Sequence, residues 1–483
     1  MKLRSIGSIL LAAALLLSFE GNINRSVFHN EQDHSSEIRK FSTSDDTYAD
    51  SQWYIKNSGH YINYSDKSNQ EFSSNKGIDM NVAKAWDYIK KAEKAKHEVV
   101  VAVIDTGIDY NHPDLANNIW TNPGEIPGDN IDNDNNGFVD DVHGWDFYNQ
   151  DASVYEYEEK DDQKIASYSD NDNHGTHVAG IIAAVANNNQ GIAGVASDVN
   201  IKIMSLKVNG GPNGSGNMED AVKAIKYAEK MGAKICNISW GALGYTEELR
   251  IAIKQSKMLF VAAAGNFASN NDEQPVYPSN FGFDNLISVT AVDSMGALGE
   301  KADYGVGSVD IAAPGIDIYS TVVGGYDYMS GTSMAAPQVS AVAALAYAED
   351  NRLSAVQVKN LILNHIKPLP QLKGFVKHEG IPDAYELIKA AGELNQKNEI
   401  NAKVYVNNQT PMLPGVSSIK DQEIEKRQPI QDRRMGPEDI LQKDSTKVII
   451  TLFGEFNTTT TELFKQNKTL YSDWKRRSRY RRI

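Results

Sequence analysis

Apolar and polar positions fall in alternating blocks along the chain, and the blocks set the fold. Val99-Val100-Val101-Ala102-Val103-Ile104 is continuous and mostly β-branched, the pattern of a strand covered on both faces. It stops abruptly at Asp105-Thr106-Gly107. Beyond it the pattern predicts a strand over Ile201 to Val208, a helix over Met218 to Met231, a strand over Ala233 to Ser239, a helix over Thr246 to Gln255 and a strand over Leu259 to Ala264. Leu286 to Val292 and Val309 to Ala312 supply further strands. A helix-like patch, Asn81 to Lys94, precedes the first strand. Ser354-Ala355-Val356-Gln357 has the spacing of a capping box for a helix reaching Leu363, and a last helix is expected over Pro382 to Ala391. Such alternation predicts an α/β fold, a mainly parallel central sheet with helices on both faces, whose functional groups gather at the carboxyl ends of the strands. Asp105 and the Ala264-Gly265-Asn266 turn stand at two such ends.

The two ends of the chain lack this pattern. Lys2 and Arg4 followed by the apolar run Ile9 to Leu17 have the make-up of a signal peptide or N-terminal anchor, expected over residues 1–21. Residues 22–50 are polar and without period, a short leader, and order is expected from about Gln52. The patterned domain runs over 51–395. Residues 396–483 form a weakly structured C-terminal extension, with one strand-like piece, Lys447 to Phe456, and a basic end from Lys475 to Arg482. No other stretch is long and apolar enough to cross a bilayer, so a secreted, monomeric protein is expected, with no membrane contact beyond the possible anchor.

Composition narrows the chemistry. A formal charge of −15 argues against nucleic acid as a partner, which needs clustered cationic charge. Acidic chains meet cations or basic peptides instead. The only cysteine, Cys236, lies in the strand Lys234 to Ser239, so no intrachain disulfide is possible and the thiol is expected to be an inert core group.

Three short stretches can carry chemistry: Asp105-Thr106-Gly107, His174-Gly175-Thr176-His177 and Gly331-Thr332-Ser333-Met334-Ala335. Singly, each has a plain reading as a strand-ending turn, half a metal site and a helix cap. Together they supply an acid, a base and a hydroxyl, the set that makes a weak nucleophile reactive at neutral pH. A zinc site on His174 and His177 would need further ligands, and an aspartic protease would need a second Asp-Thr-Gly copy, which the chain lacks.

The order acid, histidine, serine differs from that of α/β-hydrolases and trypsin-like barrels. Over roughly Gln52 to Ala391 the chain resembles the subtilisin-like serine proteases. The resemblance rests on Val101 to Ile108 with Asn111-His112-Pro113-Asp114-Leu115, on His174 to Gly180, on Val261 to Asn266, and on Gly331 to Pro337. It implies a serine endopeptidase acting on proteins or peptides, with Ser333 as nucleophile, His174 as general base, Asp105 as its orienting acid, and the Asn266 amide with the Ser333 N–H as oxyanion donors. His177 would be structural. The alternative is a calcium-dependent binding protein on the same fold, with an idle or blocked site.

Calcium is the second theme. Oxygen-bearing side chains recur at alternate positions in Asp132-Asn133-Asp134-Asn135-Asn136-Gly137-Phe138-Val139-Asp140-Asp141, the spacing of a loop wrapped round a hard cation. Asp132, Asp134, Asn136, Phe138 and Asp141 are the expected ligands, although His143 stands where an EF-hand has glutamate. The resemblance implies another site, with Asp114, the Asn188 side chain and the carbonyls of Ala186, Gln190 and Ile192. It also implies that Ser239-Trp240-Gly241 and Ala263-Ala264-Gly265 wall the pocket for the residue before the cut, with Val276 near its floor narrowing it toward leucine or methionine. The acidic segment Tyr155 to Asp172 would favour basic residues farther upstream.

Overall fold

The computed structural model describes residues 44–64, 69–92, 97–155, 172–210, 214–407 and 449–452. The expected signal segment, most of the leader, most of the acidic segment and the basic end lie outside these residues. The described strands are β1 (His60–Asn63), β2 (Gln70–Ser73), β3 (Val99–Asp105), β4 (Gly144–Asp146), β5 (Ile201–Lys207), β6 (Asn209–Gly210), β7 (Ser215–Asn217), β8 (Ile235–Ile238), β9 (Trp240–Gly241), β10 (Leu259–Ala263), β11 (Leu286–Val292), β12 (Ile311–Pro314), β13 (Ile318–Val322), β14 (Gly325–Met329), β15 (Ile366–Pro368), β16 (Gly380–Pro382) and β17 (Ile449–Leu452). The α-helices are α1 (Val82–Ala92), α2 (Asn173–Ala183), α3 (Met218–Lys230), α4 (Glu247–Gln255), α5 (Thr332–Glu349), α6 (Ala355–Asn364) and α7 (Ala384–Asn407).

Seven strands form one parallel sheet in the order β12-β11-β10-β8-β3-β5-β4. β3 is the first of these seven strands in the chain yet lies inside the sheet, with β5 on one side and β8 on the other. The strand order therefore reverses beside β3, and a reversal of this kind opens a crevice at the carboxyl edge. Alternate residues of β3 serve opposite cores. Val99, Val101 and Val103 join a cluster that includes residues of α1, α2, α5, α6 and α7. Ala102 and Ile104 join a second cluster with α3 and α4. Two buried faces explain why β3 has no polar alternation.

Among the helices, α3 and α4 are capped by Asn217 and Thr246, whose side chains accept the Asp220 and Leu249 N–H groups. Ser354 and Gln357 make the expected reciprocal box at the start of α6. α5 is buried on every side, which accounts for its small residues and its lack of a polar stripe. Three elements depart from expectation. α7 runs on to Asn407 rather than ending at Ala391, the helix α2 carries the histidine motif, and order begins earlier than Gln52. In that early segment Tyr48 N–H donates to Gly191 C=O at 2.7 Å, and the short turn Ala49–Ser51 follows.

Gly175 is the close approach that bears on the histidine helix. A Cβ there would lie 2.1 Å from the Gly107 carbonyl oxygen, a backbone atom that cannot swing aside. Gly175→Ala is therefore expected to separate the turn after β3 from α2 and to lower both the thermal midpoint and any activity. Ser354→Ala should instead cost about 1 kcal/mol of stability and leave activity unchanged. Thermal melts with a parallel activity assay check both variants.

Candidate active site

Asp105 is the last residue of β3, and its side chain is buried. Its Oδ1 accepts the Thr106 N–H at 2.8 Å and the His174 Nδ1–H at 2.7 Å. A buried carboxylate is costly unless donors take up its charge; both donors converge on Oδ1, while the buried Oδ2 has no hydrogen-bond partner among the described residues. His174 stands in the first turn of α2, also buried. With Nδ1 committed to Asp105, Nε2 is the nitrogen suited to exchanging a proton with a substrate or nucleophile. Thr106 Oγ1 accepts the Gly175 N–H at 3.0 Å, which ties the turn after β3 to the start of α2. Beneath α2, Lys207 Nζ lies 2.6 Å from Asp172 Oδ1 in an ion pair buried on both sides. Lys207 ends β5, so β3 and β5 both anchor the histidine helix.

Ser333 is the second residue of α5. Its Oγ–H donates to the Ser239 carbonyl at 2.9 Å, and the Ser239 Oγ–H donates to the Ser333 carbonyl at 2.9 Å. The second bond has a cause in the sequence. In an unbroken helix the residue four places on would donate to the Ser333 carbonyl, but that residue is Pro337, which has no N–H. The carbonyl therefore remains available to Ser239. Asn266 follows β10, and its Oδ1 accepts the Thr332 N–H at 3.0 Å, which leaves the two Nδ2 protons as the amide's outward donors. Gly265 N–H donates to Thr332 Oγ1 at 3.1 Å. Asp105 thus ends β3, while Ser239 and Asn266 follow β8 and β10; the three strands are neighbours in the sheet, and the last two residues are pinned to the start of α5.

The expected pocket residues gather at this edge with one difference. Ala263 and Ala264 are buried, and Asn271 Nδ2 donates to the Ala264 carbonyl at 2.9 Å. Val276 is buried in the main core, next to Tyr277, which exchanges two backbone hydrogen bonds with Ala242. Trp240 does not present its ring as a wall. Its indole lies in the core beside α3 and α4 and donates to the Ile104 carbonyl at 2.9 Å, so its contribution at the edge is backbone.

The two cation loops are rearranged relative to expectation. Carboxylate oxygens of Glu125, Asp134 and Asp141 lie within 4.8 Å of one another, the arrangement a cation could bridge. Asp132 stands apart from that group: its oxygens accept the Asn136 and Gly137 N–H groups at 2.9 and 2.8 Å and so shape the turn. Asn136 Nδ2 donates to Asp134 and Asp141. The Phe138 ring packs edge-on against Trp145, Phe147 and Tyr227, anchoring the loop to the core. Glu125 went unread because it precedes the patterned loop across Pro127 and Gly128, and no spacing rule links it to that loop.

In the second loop Asp114 accepts Asn188 Nδ2–H at 2.7 Å and the Ile192 N–H at 2.9 Å. Burial pushes the Asp114 carboxyl up to about 6, and the nearby Asp46 charge adds to the shift. Asp46, in the segment read as leader, accepts the Asn187 and Asn188 N–H groups at 3.0 Å each. Ala186, Gln190 and Ile192 sit on the same loop, where the Gln190 N–H donates to Asn188 Oδ1.

His177 has a structural place. Its Nε2 is 3.0 Å from the Ile318 carbonyl and 3.1 Å from the Asp327 carbonyl, so it bridges α2 to the β13–β14 hairpin. Both partners are acceptors, so Nε2 carries a proton. Burial, reinforced by His174, holds its pKa down at about 3.

Residues 96–400 match the description of the Subtilase family. The chain is 38% identical over 265 residues to a thermophilic serine proteinase of Bacillus sp. (strain AK1), covering 54% of each chain. It is 32% identical over 335 residues to subtilisin-like protease 1 of Plasmodium falciparum (isolate 3D7), covering 64% of this chain and 46% of that one. Among solved structures, a protease from Pseudoalteromonas arctica superposes with a TM-score of 0.52 at 27% identity, covering 72% of this chain and all of that one. The chain spans about half the length of the curated relatives it matches.

The His177 geometry predicts a pH dependence. An unfolded histidine titrates near 6.5 and the folded one near 3, so between these values the unfolded chain binds more protons. The contribution is fully present above about pH 6.5 and is lost as pH falls toward 3. His177→Gln keeps a donor for the two carbonyls and removes the titration. Urea midpoints measured from pH 7 to 4 should fall less steeply for the variant, and parallel slopes would show that the buried ring is not the cause.

Proposed function

The chain belongs to the subtilase family, and from that premise we propose that it is a calcium-stabilised serine endopeptidase working through Asp105, His174, Ser333 and Asn266. The observation that carries the reading is the buried Asp105–His174 hydrogen bond of 2.7 Å, at the same sheet edge to which Ser239 and Asn266 pin the start of α5. Asp105 fixes the Nδ1–H tautomer, so Nε2 takes the Ser333 proton as the hydroxyl oxygen attacks the scissile carbonyl. The histidine later delivers that proton to the departing amine, and water repeats the sequence to release the acyl group. Charge on the tetrahedral oxygen is met by Asn266 Nδ2–H and the Ser333 N–H at the α5 N-terminus, where helix amides favour negative charge.

Calcium fits two places by donor chemistry. Glu125, Asp134 and Asp141 offer hard oxygen ligands that converge within 4.8 Å. Asp114 with Asn188, and with the carbonyls of Ala186, Gln190 and Ile192, would hold another ion, with Asp46 close enough to contribute charge. A bound cation would neutralise buried acid and cross-link loops in a chain without a disulfide. The charged and apolar pattern from Lys2 to Leu17 supports export. The protein is read as a monomer acting on proteins or peptides, and the buried Val276 supports leucine or methionine before the cut, which a peptide-library profile would test. The second reading, a binding protein whose cleft is blocked, draws on β17, which pairs with β9 beside Ser239, and predicts no reaction of Ser333 with a fluorophosphonate in any form of the chain.

Ser333→Ala should abolish casein and peptide hydrolysis together with fluorophosphonate labelling. Asp105→Asn should fold normally and lose on the order of 10⁴-fold in kcat, since an amide donor facing Nδ1 forces the wrong tautomer. Excess EGTA should lower the thermal midpoint by several degrees, since an ion present at about 100 times its Kd contributes roughly 2.7 kcal/mol. An unchanged midpoint would remove both calcium assignments.

A further inference from the structure

Besides the central sheet there is a four-stranded sheet in the order β6-β7-β17-β9. Its third member comes from the C-terminal extension, about 40 residues past the end of α7. β17 runs antiparallel to β7, with Ile449 opposite Asn217, Ile450 opposite Gly216 and Thr451 opposite Ser215. It also runs antiparallel to β9, with Thr451 opposite Gly241 and Leu452 opposite Trp240. Among the described strands, β7 and β9 meet only through β17. Take β17 away and two strand edges face each other across a slot one strand wide.

The slot leads to the candidate active site. β9 follows Ser239 directly, and Ser239 exchanges two hydrogen bonds with Ser333. Since β17 is antiparallel to β9, its C-terminal end points toward Ser239 and Ser333. A peptide that brings a bond to Ser333 through this slot must be extended, and it would use the backbone groups of β7 and β9 that β17 now uses. Ser215, Gly216 and Gly241 have little or no side chain with which to select a sequence. The slot therefore recognises main chain, and any extended segment held close by competes for it.

We propose that residues 449–452 are a built-in occupant of the substrate groove, a strand of the chain's own C-terminal extension that lies where a peptide substrate would lie and competes with it. The proposal rests on the protease reading for its consequence and on the strand pairing for its geometry. A tethered segment acts at an effective concentration of up to millimolar, so even a weak strand outcompetes a micromolar peptide. Where the active chain cuts this segment, Ser333 Oγ forms the acyl bond, the peptide C–N bond breaks, the amine leaves with the proton from His174, and water releases the acid.

The test uses the full chain with Ser333→Ala, so that nothing is cut, and a labelled peptide of residues 445–456. Thr451→Pro removes an N–H and an extended conformation at the residue paired with both neighbours. It should tighten binding of the peptide at least tenfold, while Thr451→Val should bind as its parent does. In the active chain, Thr451→Pro should lower KM for a chromogenic peptide at least tenfold with kcat within twofold. Release of a fragment beginning within a residue or two of Leu452, absent with Ser333→Ala, is a further supporting result. Equal peptide affinity with and without Thr451→Pro, or binding to neither form, overturns the proposal. If no form reacts with a fluorophosphonate, the protease reading fails, while the peptide affinities still decide whether the strand occupies the groove.

Discussion

The structure depends on holding a carboxylate, dry, against an imidazole. Asp105 and His174 are both buried, and in such surroundings an ion left without partners costs several kcal/mol. The fold meets this cost with backbone placement. β3 carries Asp105 to the edge of the sheet, the Thr106 N–H takes up the same oxygen, and the two glycines, Gly107 and Gly175, let the turn and the helix approach closely enough for the 2.7 Å contact. The buried Lys207–Asp172 pair extends the same arrangement downward, so that α2 is tied to both β3 and β5. Burial makes this network rigid, because breaking one member leaves a charge with nowhere to go.

The parts of the fold that were legible in the sequence are those whose signal is local. β3, β11, α3 and α4 lie within a residue or two of where the pattern sets them, since burial on both faces of a sheet writes a β-branched run and burial on one face of a helix writes a stripe. The Ser354 box is local too. α2 escaped because it is buried on all sides and holds Gly, Thr and two His among its first five residues; neither propensity nor periodicity marks such a helix. The candidate acid, base and hydroxyl were legible as residue types in order, yet the contact of Asp105 with His174 depends on the close approach of two glycines distant in the chain, Gly107 and Gly175. Glu125 and Asp46 were missed for the same reason. Each reaches its loop through space, and Trp240 likewise turned its ring to the core because Ile104, far away in the chain, offers its carbonyl.

Electrostatics links these misses. The chain carries a net charge of −15, and the acids are grouped rather than spread: Glu125 with Asp134 and Asp141, Asp114 near Asp46. Grouped carboxylates repel, and here the repulsion is partly offset by neutral donors, Asn122 and Asn136 at one loop and Asn188 with backbone N–H groups at the other. Amides accept either role, since the side chain that donates to a carboxylate can turn its oxygen to a cation. Under the proposed calcium reading, an ion at such a loop would add a cross-link to a chain whose lone thiol is buried in β8.

The groove beside Ser333 poses an opposite problem. Exposed strand edges invite pairing with any extended chain, and a protein that reads peptides by backbone must keep such edges. β7 is partly exposed, and its residues are too small to shield it. Charging or bulging the edge would protect it, but the same changes would spoil the hydrogen bonds a substrate needs. Filling the slot from within escapes the dilemma. A strand of the chain's own satisfies β7 and β9. Because it uses main-chain bonds that any peptide can replace, its hold is set by tether length and by the strand's own propensity rather than by side-chain fit. The degree of restraint can thus change by substitution in 449–452 with no change at Asp105, His174 or Ser333, so the chemistry and its control are free to vary separately.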